Sequence, residues 1–313
     1  VAAGTNATDA VNLSQLNAVI AMIQTSGGGV VTGGGSGTST GPNGNTATGT
    51  GATSSGTGST ANGGGAVAVG LLQTAKGRGA VAFGDPNTAA GDGAVAIGAD
   101  NTATGDGAVA IGNGTGAAGK GAVALGYASL AETDGAVSVG NGAVVEAAAT
   151  QGLALGSGAH ASAANAVALG AGSVADQANT VSVGAVGAER RIVNVDAGAI
   201  GLDSTDAVNG GQLYAANSAV AQALGGGATV NGSGALLGPT YTVGSQAYHN
   251  VGAAISAVDT RVAALAASVS TLQTQMADVQ GKITDLDTRV GAMSTRIDAV
   301  DAYARAARRE SRF

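Results

Sequence analysis

The chain has 313 residues, of which 56 are glycine, 2% aromatic and 11% charged, with a net charge of −7. So few aromatics exclude a large conventional core, the acidic balance excludes binding nucleic acid through its phosphates, and the lack of Cys excludes disulfides and thiolate metal sites. No run of about 20 apolar residues marks a transmembrane helix, no basic-then-apolar stretch marks a signal segment, and Val1 in place of an initiator Met implies an excised or processed chain.

Residues 1–25 contain TDAVNLSQLNAVIAMI, whose Leu13, Leu16, Ile20 and Ile23 are spaced as on one face of a short helix. Residues 26–64 are almost wholly Gly, Ser, Thr, Asn and Ala. They form either a flexible linker or degenerate copies of the repeat that follows.

That repeat begins as GAVAVG at residues 65–70 and returns as GAVAFG, GAVAIG, GAVAIG, GAVALG and GAVSVG, then more loosely as QGLALG, NAVALG and NTVSVG. The closing glycines are 14 residues apart except for one step of 16, from Gly140 to Gly156. A short, regular repeat implies a solenoid and points away from catalysis, which needs one unlike cluster of side chains. Within GAVAIG, Val95 and Ile97 alternate with Ala94 and Ala96, which is strand periodicity. Each period has room for a second strand and turn, so one period is one flattened coil. Coils about 4.8 Å apart make a rod roughly 40 Å long. Val and Ile are expected inside each coil, with the Ala face against another chain.

Residues 188–217 break the repeat, and STDAVNGGQL there matches NATDAVNLSQL near the start. Ser204 or Asp206 is the expected N-cap of a following helix. Residues 225–250 read as a small β interlude.

From Val251 onward apolar residues step 4, 3, 4, 3 over seven heptads: Ile255, Val258, Val262, Leu265, Val269, Leu272, Met276, Val279, Ile283, Leu286, Val290, Met293, Ile297 and Val300. This is a left-handed coiled coil, and the β-branched residues at d favour three strands. Lys282 is placed to reach Asp287, and Arg296 to reach Asp301, on a neighbouring helix.

The order of these pieces resembles the trimeric autotransporter adhesins of Gram-negative bacteria, the YadA-like family. GAVAIG resembles the family's 14-residue head repeat, ERRIVNV with STDAVNGGQL its neck, and residues 224–259 a β insert of its stalks. The resemblance implies a fibrous homotrimer: a left-handed parallel β-roll head, a neck and a trimeric coiled-coil stalk. It divides the chain into the end of an upstream neck with a short helix (1–25), the low-complexity segment (26–64), head (65–187), neck (188–217), short helix and β-rich insert (218–252), coiled coil (253–303) and a tail (304–313). It implies attachment to host matrix, cells or surfaces, at the bacterial surface, through an outer-membrane barrel that this sequence does not include. The alternative is a passive spacer in a longer fibre. The repeats carry GAV where the collagen-binding heads carry serine-containing versions.

No catalytic, cofactor or metal site is expected. His160 and His249 stand without a second ligand at metal spacing, the Asp pattern of calcium-binding rolls is not kept, and GGGSGTSTG lacks the Gly-Lys-Ser/Thr ending of a phosphate loop. The candidate adhesive face is Asp100, Asn101, Thr102 and Asp106, by outward position. Arg190, Arg191, Asp206, Asn209 and Leu213 are expected to stabilise the trimer at the neck. Three copies of Arg190 and Arg191 would repel unless Glu189, Asp196 or Asp203 of neighbouring chains paired with them. An ice-binding ladder through Thr88, Thr102 and Thr115 is disfavoured because they are only partly in register.

Overall fold

The computed structural model describes residues 5, 11–25, 30–33, 38–41 and 43–311. Most of the first TDAVN motif, and much of the segment between residues 26 and 42, lie outside them. The described chain forms two units, residues 1–191 and 192–313.

The first unit holds helix α1 (Leu13–Thr25) and a parallel β-solenoid. Each coil has one strand from the GAV motif, such as Val109–Asn113, and a shorter second strand, such as Gly116–Ala117. Strands of the repeat pair in parallel with their equivalents one coil on, 14 residues away except across the long corner: Val95 lies opposite Val109, and Val109 opposite Val123. The stack also reaches back before Gly65, because Thr46 registers with Thr60 and Thr53 with Val67. The 14-residue period thus becomes a register in which like residues stack.

The interior is the reverse of the sequence expectation. Ala66, Ala68, Ala75, Ala80, Ala82 and Ala89 are fully buried, as are their counterparts along the stack, while Val67, Val69, Val95, Ile97 and Ile111 are only half-buried. Two strand layers joined by tight corners leave room for a methyl group between them and not for an isopropyl. The valine and isoleucine rows therefore face outward. Close packing is enforced at the corners by glycine: a Cβ on Gly98 would lie 1.9 Å from the Gly112 carbonyl oxygen of the next coil, and Gly98 has φ +120°.

A valine in the alanine column shows how tight the layers are. Val145 is fully buried in a column otherwise held by Ala. Opposite it, Gly152 stands where other coils carry Ala, and a Cβ there would sit 3.0 Å from Val145 Cγ1. The extra bulk on one layer is matched by its loss from the other.

The second unit contains helix α2 (Gly210–Leu224), two short antiparallel hairpins (Thr229–Val230 with Leu236–Leu237, and Tyr241–Val243 with Gln246–Tyr248) and helix α3 (Val251–Glu310). Asn209, not Ser204 or Asp206, caps α2: its side chain accepts the Gln212 N–H, and Gln212 Oε1 accepts the Asn209 N–H at 3.1 Å. Ser204 and Asp206 lie in non-helical chain and bond back to the loop instead, through Ala199 O and Ala199 N–H. The same reciprocal box recurs at Asn12 and Gln15 before α1, so the duplicated motif is duplicated in its hydrogen bonds.

Helix α3 has 60 residues, about 90 Å at 1.5 Å per residue. By length and composition it could cross a bilayer, but its large apolar residues are confined to a heptad stripe, where a lipid-exposed span needs apolar residues all round.

Candidate functional site

Three surfaces carry the chemistry of this chain. The first is the outward face of the GAV strands. Val67, Val81, Val95, Val109, Val123 and Val137 stack in one row, and Val69, Phe83, Ile97, Ile111, Leu125 and Val139 in the next. Phe83 is 52% exposed and Leu125 42%. A continuous apolar strip of this length is far from the scattered exposure of ordinary surfaces.

The second surface is the α3 stripe. Its large apolar residues from Ile255 to Val300 are each at least 45% exposed, so nothing within the described chain covers them. The charged residues beside the stripe pair along the same helix: Lys282 with Asp278 at 2.8 Å, and Asp301 with Arg305.

The third surface is the opposite face of the solenoid, formed by the second strands and the corners. Thr46, Thr60, Thr74, Thr88 and Thr102 form one register row. Beyond it the same row continues as Gly116, Leu130, Val144, His160 and Val174. Thr115 belongs elsewhere and is buried. The corner residues include Asp100, exposed with φ +56°, and Asp106, whose carboxylate accepts the Asp92 N–H at 2.9 Å. Arg78 bonds Asp92 through both its backbone N–H and its guanidinium. These two contacts, the backbone one first, hold the Asp92 carboxyl below the usual aspartate range, and the Arg78 pKa is raised in return. The one long corner is pinned from both sides: Glu132 Oε2 accepts the Ala147 N–H at 3.1 Å, and Glu146 Oε1 meets His160 Nε2 at 2.8 Å.

Asn101 does not belong to this outer face. It is 1% exposed and points into the coil. Its Nδ2 donates to Asn87 Oδ1, Ile97 O and Gly112 O, and its Oδ1 accepts the Thr115 N–H. The same interior column runs through Asn45, Ser59, Gln73, Asn87, Asn101, Thr115 and Ser129, and again at Ser173. The adhesive set from the sequence therefore reduces to Asp100, Thr102 and Asp106. The signal that separates Asn101 from them is its phase, since polar residues small enough for the interior recur at that position coil after coil.

At the end of the solenoid, Arg190 contacts no carboxylate among the described residues. Its Nη1 donates to Ser173 Oγ at 2.8 Å and Val183 O at 2.6 Å, and its Nη2 to Ala171 O. Arg191 is exposed. Glu189 accepts the Gly187 N–H, which lowers its pKa. In the second unit, Asn209 also donates to Val195 O at 3.1 Å, Asp206 accepts the Ala199 N–H, and Leu213 is 60% exposed. Among the described residues, no three His, Asp or Glu side chains come together as a metal site.

A parallel β-solenoid with one apolar face, a duplicated helix-capping motif and a heptad helix whose stripe the described chain leaves uncovered define a repeat protein of the solenoid and coiled-coil class. The YadA head domain repeat model matches residues 47–71, 75–101, 89–115, 117–143, 147–173 and 163–185. The model for the coiled stalk of trimeric autotransporter adhesin matches residues 1–39 and 191–236, the two stretches that carry the capping box. The chain belongs to the YadA-like trimeric autotransporter adhesins.

Its relatives include the autotransporter adhesin EhaG of Escherichia coli O157:H7, 54% identical over 57 residues, which are 18% of this chain and 4% of that protein. They also include the trimeric autotransporter adhesin AtaA of Acinetobacter sp. strain Tol 5, 53% identical over 57 residues, 18% of this chain and 2% of that one. The chain thus matches only a small part of the length of these relatives. Among solved structures, the collagen-binding domain of the Yersinia adhesin YadA is 33% identical, with 51% of this chain and 83% of that one covered and a TM-score of 0.36.

Proposed function

We propose that this chain is part of a homotrimeric adhesin on the surface of a Gram-negative bacterium, held in the outer membrane by a β-barrel beyond the present sequence. Three solenoids pack through their valine and isoleucine rows, and three α3 helices pack through their heptad stripes. The opposite solenoid face is left free to meet host matrix, cells or abiotic surfaces. The reading is non-catalytic.

The observation that carries it is the division of the solenoid into two unlike faces. One is apolar in every GAV strand and suits burial between copies. The other repeats threonine from Thr46 to Thr102 at the coil spacing of about 4.8 Å, flanked by the polar corner residues Asp100 and Asp106. A surface that offers the same weak contact many times, on three chains at once, gains attachment strength by multivalency rather than from one tight pocket. Asp100, Thr102 and Asp106 are the proposed contact residues. Arg191, with Glu189, Asp196 or Asp203 of a neighbouring chain, is proposed to stabilise the trimer where the solenoid ends, with Asp206, Asn209 and Leu213 acting in the neck.

Two measurements test this. Sedimentation of the purified chain is expected to give a trimer, and a stable monomer or dimer overturns the assembly. Surface-immobilised trimer is expected to retain matrix proteins or cells above a shuffled-sequence control. Retention equal to the control assigns the chain the role of a spacer.

A further inference from the structure

The corner hydrogen bonds follow one rule along the solenoid. A carbonyl at the first corner accepts an N–H from the next coil: Asn113 O from Ala128, Tyr127 O from Gly142, Asn141 O from Gly158, and Ser157 O from Gly172. The next carbonyl in this series is Ala171, and its donor is a side chain, Arg190 Nη2. The closing glycines obey a parallel rule. A Cβ on Gly112 would strike the backbone of Gly126, one on Gly140 that of Gly156, and one on Gly156 that of Gly170. A Cβ on Gly170 would instead meet Arg190 Nη1 at 3.2 Å. The interior polar column ends at the same point, where Ser173 Oγ donates to Leu169 O and accepts from Arg190 Nη1.

From these coincidences we infer that Arg190 is the terminal rung of the solenoid. Its guanidinium takes the place of the corner that the last, incomplete coil lacks, since Val181 still stacks on Val167. It satisfies the Ala171 and Val183 carbonyls together and closes the interior column at Ser173. The planar fork is needed, because two nitrogens at a fixed separation must reach three acceptors, which an ammonium on a flexible stem cannot match. With these acceptors occupied, two carbonyls at the end of the solenoid are no longer offered to an added strand.

Hydrogen–deuterium exchange of the purified chain tests this. In Arg190→Ala, residues 167–184 are expected to exchange about tenfold faster, while residues 95–113 keep the wild-type rate, as for fraying confined to one end. Arg190→Lys, which keeps the charge but not the fork, is expected to fall between the two and supplies the folded comparator if the alanine variant does not assemble. Adding salt to wild type is expected to leave residues 167–184 unchanged, whereas an interchain ion pair would be screened. The assignment is overturned by wild-type exchange at 167–184 in Arg190→Ala, by acceleration spread evenly along the solenoid, or by wild-type behaviour of Arg190→Lys.

Discussion

Asn101 donates from Nδ2 to Asn87 Oδ1 at 2.8 Å, across the 14 residues that separate one coil from the next. Asn87 in turn donates to Gln73 Oε1 at 3.0 Å. The column also satisfies strand-end carbonyls of two successive coils, those of Ile97 and Gly112. It is a register device: a slip of one residue in any coil would put alanine or a strand amide where an amide side chain has to reach.

Replacing Asn101 with Ala is accordingly expected to destabilise the solenoid by about 2–3 kcal/mol, because buried acceptors lose their donor. Asn101→Asp is expected to be at least as harmful, since it buries acceptors where donors are needed. Thermal melts followed by circular dichroism read both. If Asn101→Ala melts with wild type, the column does not hold the register.

Val145 and Gly152 give a paired prediction. Gly152→Ala adds a methyl group 3.0 Å from Val145 Cγ1, and overpacking of this kind typically costs about 1–3 kcal/mol. Val145→Ala alone leaves a void. The double variant is expected to recover part of the loss, although Ala149 O would still lie 2.7 Å from the new methyl. A double-mutant cycle measures the coupling, and simple additivity would refute the volume match.

Ala128 sits at a corner with φ +51°, where equivalent positions in other coils hold Gly114 and Gly142 at φ +67° and +61°. The left-handed region is costly for a residue with a Cβ. Ala128→Gly is therefore expected to stabilise by roughly 0.5–1 kcal/mol, net of the entropy glycine adds to the unfolded chain. A lowered melting temperature would contradict this.

The Asp92 carboxyl has a predictable pH response. Its pKa is depressed, first by the Arg78 backbone N–H and then by the guanidinium. A depressed folded-state pKa contributes stability that is present above the unfolded carboxyl value, about 4, and lost as pH falls through the folded value. The pair is exposed, so the effect on melting is small and the titration itself is the better readout. Carboxyl NMR is expected to place the Asp92 midpoint below the ordinary aspartate value and to move it upward in Arg78→Ala.

Much of this architecture was legible in the residues. The 14-residue period dictated the stacking, and the 4, 3 steps from Ile255 to Val300 dictated α3. The direction of the faces was not legible from alternation. A period of two separates Val95 and Ile97 from Ala94 and Ala96 but does not say which set is inside. The spacing between strand layers decides that, and it emerges only when both strands of a coil are built. The same blindness placed Asn101 on the surface. Its polarity suggested solvent, while its phase with Gln73, Asn87 and Thr115 held the better clue. At α2 the clue was in plain sight: Asn209 and Gln212 have the spacing of a capping box, and Ser204 lies too far ahead of the helix to serve.

The 16-residue coil carries a last consequence. Two additional residues enter between Val145 and Leu153, yet Val137 still lies opposite Leu153 and Val144 opposite His160. The corner absorbs the whole insertion, with Glu132 and His160 both holding its first residues, Ala147 and Glu146. Phase errors are thus quarantined in one turn. That makes the exposed residues of this turn, on either side of the buried Ala149, a natural graft point, where a foreign peptide can be displayed while the coils above and below keep their stacking.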